Sequence, residues 1–266
     1  MAQMQSRKMT NNSLNEALEG LTSPSIDPEE VSKFSRIASE WWDPKGKFRP
    51  LHKFNPVRLT FLRGAIIDHF GLDARAIRPL EGIRLLDIGC GGGLISEPMT
   101  RLGASVTGVD ASENNIKTAS VHAKAQGLEV DFRAGTAEAL LASDEPPFDV
   151  VLNMEVIEHV ADPEAYLKDC CGLVRPGGMT VVATLNKTAK ALALAVVGAE
   201  YILGWLPRGT HDYQKFLKPE QITSWLEAAG MECDPAQGVS YNPLGDSWSL
   251  SGDTDVNYMV VARKPV

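Results

Sequence analysis

Two acidic residues and a run of glycines mark the stretch of this sequence that is best suited to bind a nucleoside. The apolar run 83–88 contains Asp87 and passes directly into the glycine-rich loop 89–93. A second apolar run, 105–109, ends in Asp110. Glycines let the backbone turn sharply and approach a ligand closely, and a helix that follows such a loop presents its N-terminal amide groups to the ligand. We predict that the Asp110 carboxylate accepts hydrogen bonds from both hydroxyls of a ribose.

The spacing of the glycines separates two kinds of nucleoside ligand. The dinucleotide fingerprint requires a third glycine three residues after the second, and that position holds Leu94 or Ser96, depending on which glycine pair is counted. This disfavours an NAD-dependent oxidoreductase. The observed pattern Asp87-x-Gly89-x-Gly91-x-Gly93 resembles the glycine-rich loop of class I S-adenosylmethionine-dependent methyltransferases. A nucleotide-binding protein without catalytic activity is the alternative from another class.

A second group of residues suited to chemistry follows the fourth predicted strand, in the segment 154–159. Glu155, Glu158 and His159 are three and four residues apart, so on one helical turn they would share one side. They could hold Mg²⁺, which could bind both oxygens of a substrate and lower the pKa of the attacking hydroxyl. Alternatively His159 is a general base that the glutamates orient, or the glutamates only cap the next helix. A phenol has a pKa of about 10, so activation is needed near neutral pH.

Other polar pairs are weaker candidates for the same role. His211 and Asp212 follow the most apolar segment of the chain, and Tyr241 and Asn242 are adjacent further on. A histidine beside an aspartate in a loop is more often an ordinary hydrogen-bonded surface pair than a base.

Alternating strands and helices must position these groups. We predict strands at 83–88, 105–110, 130–133, 148–154 and 179–184, with helices between them, and two more strands, from 231 and at 256–263. Such alternation is typical of right-handed crossovers and a parallel sheet covered on both faces. The expected fold is therefore α/β and Rossmann-like, with a seven-stranded, mostly parallel sheet and helices on both faces.

The regions that flank the sheet have their own patterns. An N-terminal helical extension is predicted over 25–80, with Asp27 as an N-cap and an apolar face that includes Phe34 and Trp41. We expect this face to pack on the main domain or to form a lid over the ligand cleft. Residues 1–24 are polar, lack a secretory signal, and are predicted to be a disordered tail. The rest, 25–266, is expected to form one methyltransferase domain.

The segment 189–206 is almost wholly apolar, with Glu200 as its only acidic residue, and it forms most of an expected insertion at 189–212. Its length is at the lower limit for a membrane span and the charge makes a span less favourable. A buried core helix is one interpretation, and a segment lying in the membrane interface is the other. On the second interpretation, charging Leu192, Leu194 and Val196 should weaken binding to liposomes.

Composition excludes some partners. A net charge of −8 and a pI near 5.2, with no basic stripe, argue against nucleic acid, whose phosphates require clustered cations. The four cysteines lack metal-ligand spacing and indicate reduced thiols. We expect a cytoplasmic protein, peripheral on the inner face of the cytoplasmic membrane if the apolar segment reaches lipid.

Several motifs together resemble, more narrowly, the O-methyltransferase family of ubiquinone biosynthesis. The resemblance covers about 27–264 and rests on the motifs WWDP (41–44), LHKFNPVR (51–58), LDIGCGGG (86–93), MEVIEHV (154–160), ATLN (183–186), VVGAEYIL (196–203), GTHDYQKF (209–216) and DVNYM (255–259).

This resemblance implies specific substrates, cofactors and site residues. The reaction would be O-methylation of polyprenylated catechols, 2-polyprenyl-6-hydroxyphenol and 3-demethylubiquinol, with S-adenosylmethionine as donor, Mg²⁺ at the acidic triplet and other enzymes of the pathway as partners. A C-methyltransferase or another small-molecule methyltransferase on the same scaffold is the alternative. The donor contacts that it implies are Arg58, Gly89, Asp110 and Met154, and the loop adds Asp87 and Gly91.

Overall fold

The computed structural model describes residues 25–194 and 212–266. The predicted tail 1–24, most of the apolar insertion with Val196 and Glu200, and the candidate His211 lie outside these ranges.

A nine-stranded sheet forms the centre of the molecule, with the order β3-β2-β1-β4-β5-β9-β7-β8 and with β6 paired to β9. The pairs among β1 to β5 are parallel, and the pairs that involve β9 and β8 are antiparallel. The strands are β1 Arg84–Ile88, β2 Ser105–Asp110, β3 Asp131–Ala134, β4 Phe148–Met154, β5 Val174–Leu185, β6 Glu232–Cys233, β7 Gln237–Asn242, β8 Ser247–Ser251 and β9 Asn257–Arg263.

Helices cover both faces of this sheet, which confirms the expected Rossmann-like α/β class. The helices are α1 Pro28–Arg36, α2 Arg49–Phe70, α3 Ser96–Arg101, α4 Glu113–Ala125, α5 Ala137–Leu141, α6 Pro163–Gly172, α7 Ala189–Ala191 and α8 Pro219–Ala228. Within the described ranges, no helix is both long enough and apolar enough to cross a bilayer.

The strand side chains alternate between two cores, because successive residues of a strand point to opposite faces. Leu85 and Leu152 pack with Leu62 and Ile66 of α2 on one face. Leu86, Val151 and Val182 pack with side chains of α6 and α8 on the other face. Both faces are apolar, so the central strands are almost entirely buried. These packed strands hold the polar groups at their carboxyl ends in fixed positions.

The sheet has two strands more than the seven expected. The prediction missed the hairpin of β7 and β8, although two short runs with β-branched and aromatic residues flank a turn that contains Pro243 and Gly245, which is a recognisable hairpin signal. β7 pairs with β9 through Val239↔Asn257, and β8 pairs with β7 at the edge of the sheet.

The N-terminal extension also differs in its helix bounds. Asp27 caps α1 as predicted, since its side chain accepts hydrogen bonds from the amides of Glu29 and Glu30. The apolar face that includes Trp41 would require a longer helix, but α1 ends at Arg36, because the backbone leaves the helical region at Ile37 and continues as a short 3₁₀ turn, Ala38–Glu40. The second helix, α2, begins at Arg49 with Pro50 in its first turn, a position where a missing N–H costs nothing.

Candidate active site

The glycine-rich loop lies at the point where the strand order reverses, between β1 and its neighbours β2 and β4. Ligands of open α/β sheets bind at the carboxyl ends of strands at such a point. The loop is fixed to β2, because the amides of Gly89 and Cys90 both donate to the Val109 carbonyl, at 2.7 and 3.1 Å. Gly89 and Gly91 have φ values of 68° and 54°, a region that favours glycine.

Two tryptophans of the extension cover this loop. A Cβ atom on Gly91 or on Gly92 would lie 2.4 Å from the Trp41 side chain. These glycines therefore leave space for the indole, in addition to allowing the tight turn. Trp41 donates to Asn115 Oδ1 at 2.9 Å, and Trp42 donates to the Gly92 carbonyl at 2.8 Å. The WWDP motif therefore closes one side of the loop.

Asp110 ends β2 with its carboxylate turned toward the loop. It accepts hydrogen bonds from the amide of Gly91 at 2.9 Å, from the amide of Ser112 at 2.8 Å and from Asn115 Nδ2 at 3.1 Å. Burial raises the pKa of Asp110 and these hydrogen bonds oppose the rise. Sequence reasoning missed Asn115, although its position in the first turn after the Ser112 N-cap placed it near the acid.

Asp87 and Arg58 form a buried charged layer beneath the loop. Asp87 Oδ2 accepts from Ser96 Oγ at 2.6 Å, and burial raises the pKa of Asp87 to about 6. Burial lowers the pKa of Arg58, and the negative charges of Glu155 and Asp87 oppose this decrease. Arg58 Nη2 donates to Asn55 at 3.1 Å, but its Nε has no hydrogen-bond partner among the described residues.

An unsatisfied buried guanidinium N–H is costly, so the Arg58 donor fits a carboxylate ligand. S-adenosylmethionine has both a carboxylate and a ribose, and Arg58 and Asp110 supply a cation and an anion suited to these two groups. Met154, the fourth residue implied by the resemblance, is buried at the end of β4.

The acidic triplet does not have the geometry expected from its spacing. β4 ends at Met154, and Glu155 has a left-handed φ of 61° while its amide donates to the Ala183 carbonyl at 2.9 Å. Only Ile157–His159 forms a helical turn, of the 3₁₀ type. The premise that Glu155, Glu158 and His159 share one helical turn is therefore wrong, because the chain must first turn away from the strand.

Glu158 and His159 have different hydrogen-bond partners. Glu158 Oε2 accepts from Thr184 Oγ1 at 2.8 Å, and burial, followed by the charge of Glu155, raises the pKa of Glu158 to about 8. His159 Nδ1 lies 2.9 Å from Glu30 Oε2. In the described part of the chain, no three acidic, histidine or cysteine side chains are gathered as a metal-binding group.

The capping alternative is wrong as well. The next helix, α6, is capped by Asp162, whose side chain accepts from the Ala165 amide. Neither glutamate caps the 3₁₀ turn, since no side chain does so.

One cavity joins the loop, the acid of β2 and two members of the triplet. Its lining includes Gly89, Gly91 and Asp110 on the donor side and Glu155 and His159 on the other. The N-terminal extension closes it, through Asp27, Glu30, Val31, Phe34 and Trp41. Sequence reasoning missed Glu30, which lies in the first turn of α1.

The weaker candidates serve local structure. Asp212 accepts from the Gln214 amide at 2.9 Å and caps the turn Tyr213–Lys215. Tyr241 donates to Asp246 at 2.6 Å, and Asn242 accepts from the Leu244 amide at 3.0 Å, so both belong to the β7–β8 hairpin.

The Rossmann-like sheet, the spacing Asp87-x-Gly89-x-Gly91-x-Gly93 after β1 and Asp110 at the end of β2 are together those of a class I S-adenosylmethionine-dependent methyltransferase. Residues 61–236 match the family model for a methyltransferase domain. Magnesium protoporphyrin IX methyltransferase from Synechocystis PCC 6803, in a crystal structure with bound SAH, has a similar fold, with a TM-score of 0.58, 18% identity and coverage of 88% of this chain and 94% of that chain. A SAM-dependent methyltransferase from Aquifex aeolicus has a TM-score of 0.51, 15% identity and coverage of 90% and 98%.

Sequence relatives define the family more narrowly. The ubiquinone biosynthesis O-methyltransferase of Maricaulis maris is 65% identical over 92% of this chain and 96% of its own length. The protein of the same name from Parvibaculum lavamentivorans is 63% identical over 90% and 94%, and that from Caulobacter vibrioides is 57% identical over 94% and 100%. The chain belongs to the ubiquinone biosynthesis O-methyltransferase family.

Proposed function

We propose that this protein transfers the methyl group of S-adenosylmethionine to ring hydroxyls of polyprenylated catechols in ubiquinone biosynthesis, namely 2-polyprenyl-6-hydroxyphenol and 3-demethylubiquinol. The observation that carries the proposal is identity of 57–65% to ubiquinone biosynthesis O-methyltransferases over at least nine-tenths of the chain. The cavity supports it, because donor-binding and proton-accepting groups line the same space.

The protein residues have distinct tasks in this reaction. The donor supplies an electrophilic sulfonium methyl group. Asp110 and the loop amides orient the nucleoside, and Arg58 binds the carboxylate. A hydroxyl held near His159 gives its proton to the imidazole as its oxygen bonds to the methyl carbon and the carbon–sulfur bond breaks, which leaves a neutral thioether. Enclosure by α1 excludes water and aligns the reactants.

The activating group is either a metal ion or His159 alone. The present arrangement fits Mg²⁺ only in part, because Glu155 and Glu158 interact electrostatically while His159 is bonded to Glu30. A site built from all three would need these side chains to rearrange. His159 as base needs no such rearrangement and is the role that this geometry favours.

A peripheral location in the cytoplasm, at the inner face of the membrane, completes the proposal. The polyprenyl substrates reside in the bilayer, and the apolar insertion begins at the end of β5, at the same edge of the sheet as the cavity. Leu192 and Leu194 are 37% and 54% exposed there, which suits contact with lipid. Association with other enzymes of the pathway remains a prediction.

A single assay tests donor, acceptor and metal together. The metal-stripped protein is incubated with methyl-labelled S-adenosylmethionine and a short-tailed polyprenyl catechol, with and without Mg²⁺. We expect the label on a ring oxygen. Label on a ring carbon would instead select the C-methyltransferase alternative, and donor binding without turnover on any catechol would contradict both.

The metal arm of the assay has its own outcome. Full activity after exhaustive removal of metal with EDTA would support His159 as a metal-free base. Activity that is lost in EDTA and restored by Mg²⁺ would support the metal hypothesis and contradict the role of His159 as a metal-free base.

A further inference from the structure

The contacts of α1 point to a further residue for this reaction. We propose that Glu30 is a positioning residue that fixes the orientation of the His159 imidazole, so that the activating group is set only while α1 lies over the donor cavity. The inference deepens the proposed function and rests on it.

The first observation is a carboxylate–imidazole pair between two distant parts of the chain. His159 Nδ1 lies 2.9 Å from Glu30 Oε2, across 129 positions of sequence. The two side chains are only 17% and 19% exposed, so solvent screens the interaction less than it screens a surface pair. Both residues line the cavity that contains Asp110 and the glycine loop.

The second observation is that α1 also fixes the plane of the ring. Phe34 lies one helical turn after Glu30 and therefore on the same face of α1. Its ring meets the imidazole edge-on, with the centroids 5.0 Å apart and an interplanar angle of 79°. One face of the helix thus sets both the hydrogen bond and the tilt of His159.

The chemistry of imidazole gives this contact a consequence. In a neutral histidine one ring nitrogen is a donor and the other is an acceptor. A carboxylate that accepts from Nδ1–H selects the tautomer in which Nε2 is basic. Such a pair serves a general base, and carboxylates hold metal-ligating histidines in the same manner. Glu30 would therefore orient His159 in either of its two proposed roles.

The third observation is that α1 has other attachments, which would keep the helix in place if Glu30 were changed. Lys215 Nζ lies 2.8 Å from Asp27 Oδ2. The Ala161 amide donates to the Ser25 carbonyl at 2.9 Å, and the Ser25 amide donates to Glu138 Oε1 at 3.2 Å. A substitution at position 30 can thus change the orientation of His159 while α1 still closes the cavity.

The test uses the full-length protein and three variants. Glu30→Ala removes the acceptor, Glu30→Gln keeps an acceptor oxygen without the charge, and Glu29→Gln is the matched control, because Glu29 is adjacent on α1 and exposed. The measurements are kcat, the KM for each substrate, donor affinity by calorimetry, the melting temperature, and the His159 tautomer from the ¹⁵N chemical shifts of its ring.

We expect kcat to fall by about 10- to 100-fold in Glu30→Ala, the range found for groups that orient a functional histidine. Donor Kd should change little, the Nε2–H tautomer should become populated, and Glu30→Gln should recover part of kcat. Glu29→Gln should match the parent in every measurement.

Two outcomes would overturn the inference. One is a kcat for Glu30→Ala equal to that of Glu29→Gln. The other is a fall in kcat in both Glu30 variants that is accompanied by equal losses of donor affinity and melting temperature, with no change in the His159 tautomer. Glu30 would then be a structural residue. If the parent itself fails to methylate a catechol, the proposed function fails, and the tautomer measurement still decides whether Glu30 orients His159.

Discussion

At the scale of single residues, Asp87 couples stability to pH. Burial raises its pKa from 3.8 to about 6, so the folded protein holds this proton more tightly than the unfolded chain does. The resulting stability is fully present below pH 3.8 and is lost as the pH rises through about 6. Above pH 6 the folded state contains a buried carboxylate that depends on the hydrogen bond from Ser96.

Ser96→Ala should therefore destabilise the protein more at high pH than at low pH. At pH 8 we expect a loss of about 1.5–3 kcal/mol, the usual contribution of a hydrogen bond to a charged group, and at pH 4.5 a smaller loss. Urea unfolding at both pH values measures this. Ser120→Ala is the control, since that hydroxyl bonds only to the Ile116 carbonyl on the exposed side of α4. Equal losses at the two pH values would contradict this role of Asp87.

Asp110→Asn should weaken donor binding while leaving the fold in place. The variant loses the charge and places an amide group against the donors Gly91 N and Asn115 Nδ2. Both the predicted hydrogen bonds to the ribose and the hydrogen bond to the glycine loop are therefore weakened. A loss of about 1.5–3 kcal/mol corresponds to a Kd raised about 10- to 100-fold. Calorimetry with S-adenosylmethionine measures this, with Asp131→Asn on the exposed edge strand β3 as control. Unchanged affinity would remove Asp110 from the donor site.

At the scale of elements, the glycine loop shows how far the sequence could predict the site. The strand–loop–strand pattern correctly predicted the loop and the acid at the end of β2, because apolar runs and turn residues are local signals. The purpose of the glycines was predicted only in part, since Gly91 and Gly92 also make room for Trp41. The pairing of Glu30 with His159 was not predictable, because it depends on how α1 packs across the cavity.

Gly92→Ala tests the packing between the loop and the N-terminal extension. A Cβ atom would lie 2.4 Å from Trp41, so the indole must move, at a cost of about 1–3 kcal/mol for an overpacked site. We expect faster proteolysis within 25–48 and a changed tryptophan fluorescence spectrum. Gly64→Ala is the control, because nothing lies within 4 Å of the added atom and alanine favours a helix interior. Unchanged proteolysis in Gly92→Ala would show that Trp41 is not held by the loop.

At the scale of the whole molecule, the carboxyl ends of β1, β2, β4 and β5 form one edge that carries all the proposed chemistry. Met154 and Ala183 are paired in the sheet, so the triplet after β4 and the insertion after β5 leave from neighbouring positions. An acceptor that enters at this edge meets the donor without crossing the core. The same arrangement would bring a substrate from the bilayer directly to His159, if the insertion contacts lipid.

Charging the start of the insertion tests this orientation. Each exposed leucine that enters an apolar phase contributes up to about 1.5–3 kcal/mol, so Leu192→Glu combined with Leu194→Glu should sharply reduce co-sedimentation with liposomes. Donor affinity should not change, because neither residue lines the donor cavity. Val121→Glu is the matched control, since Val121 is 65% exposed on α4, away from this edge. Equal sedimentation of the double variant, the control and the parent would mean that the substrate reaches the site without lipid contact by these residues.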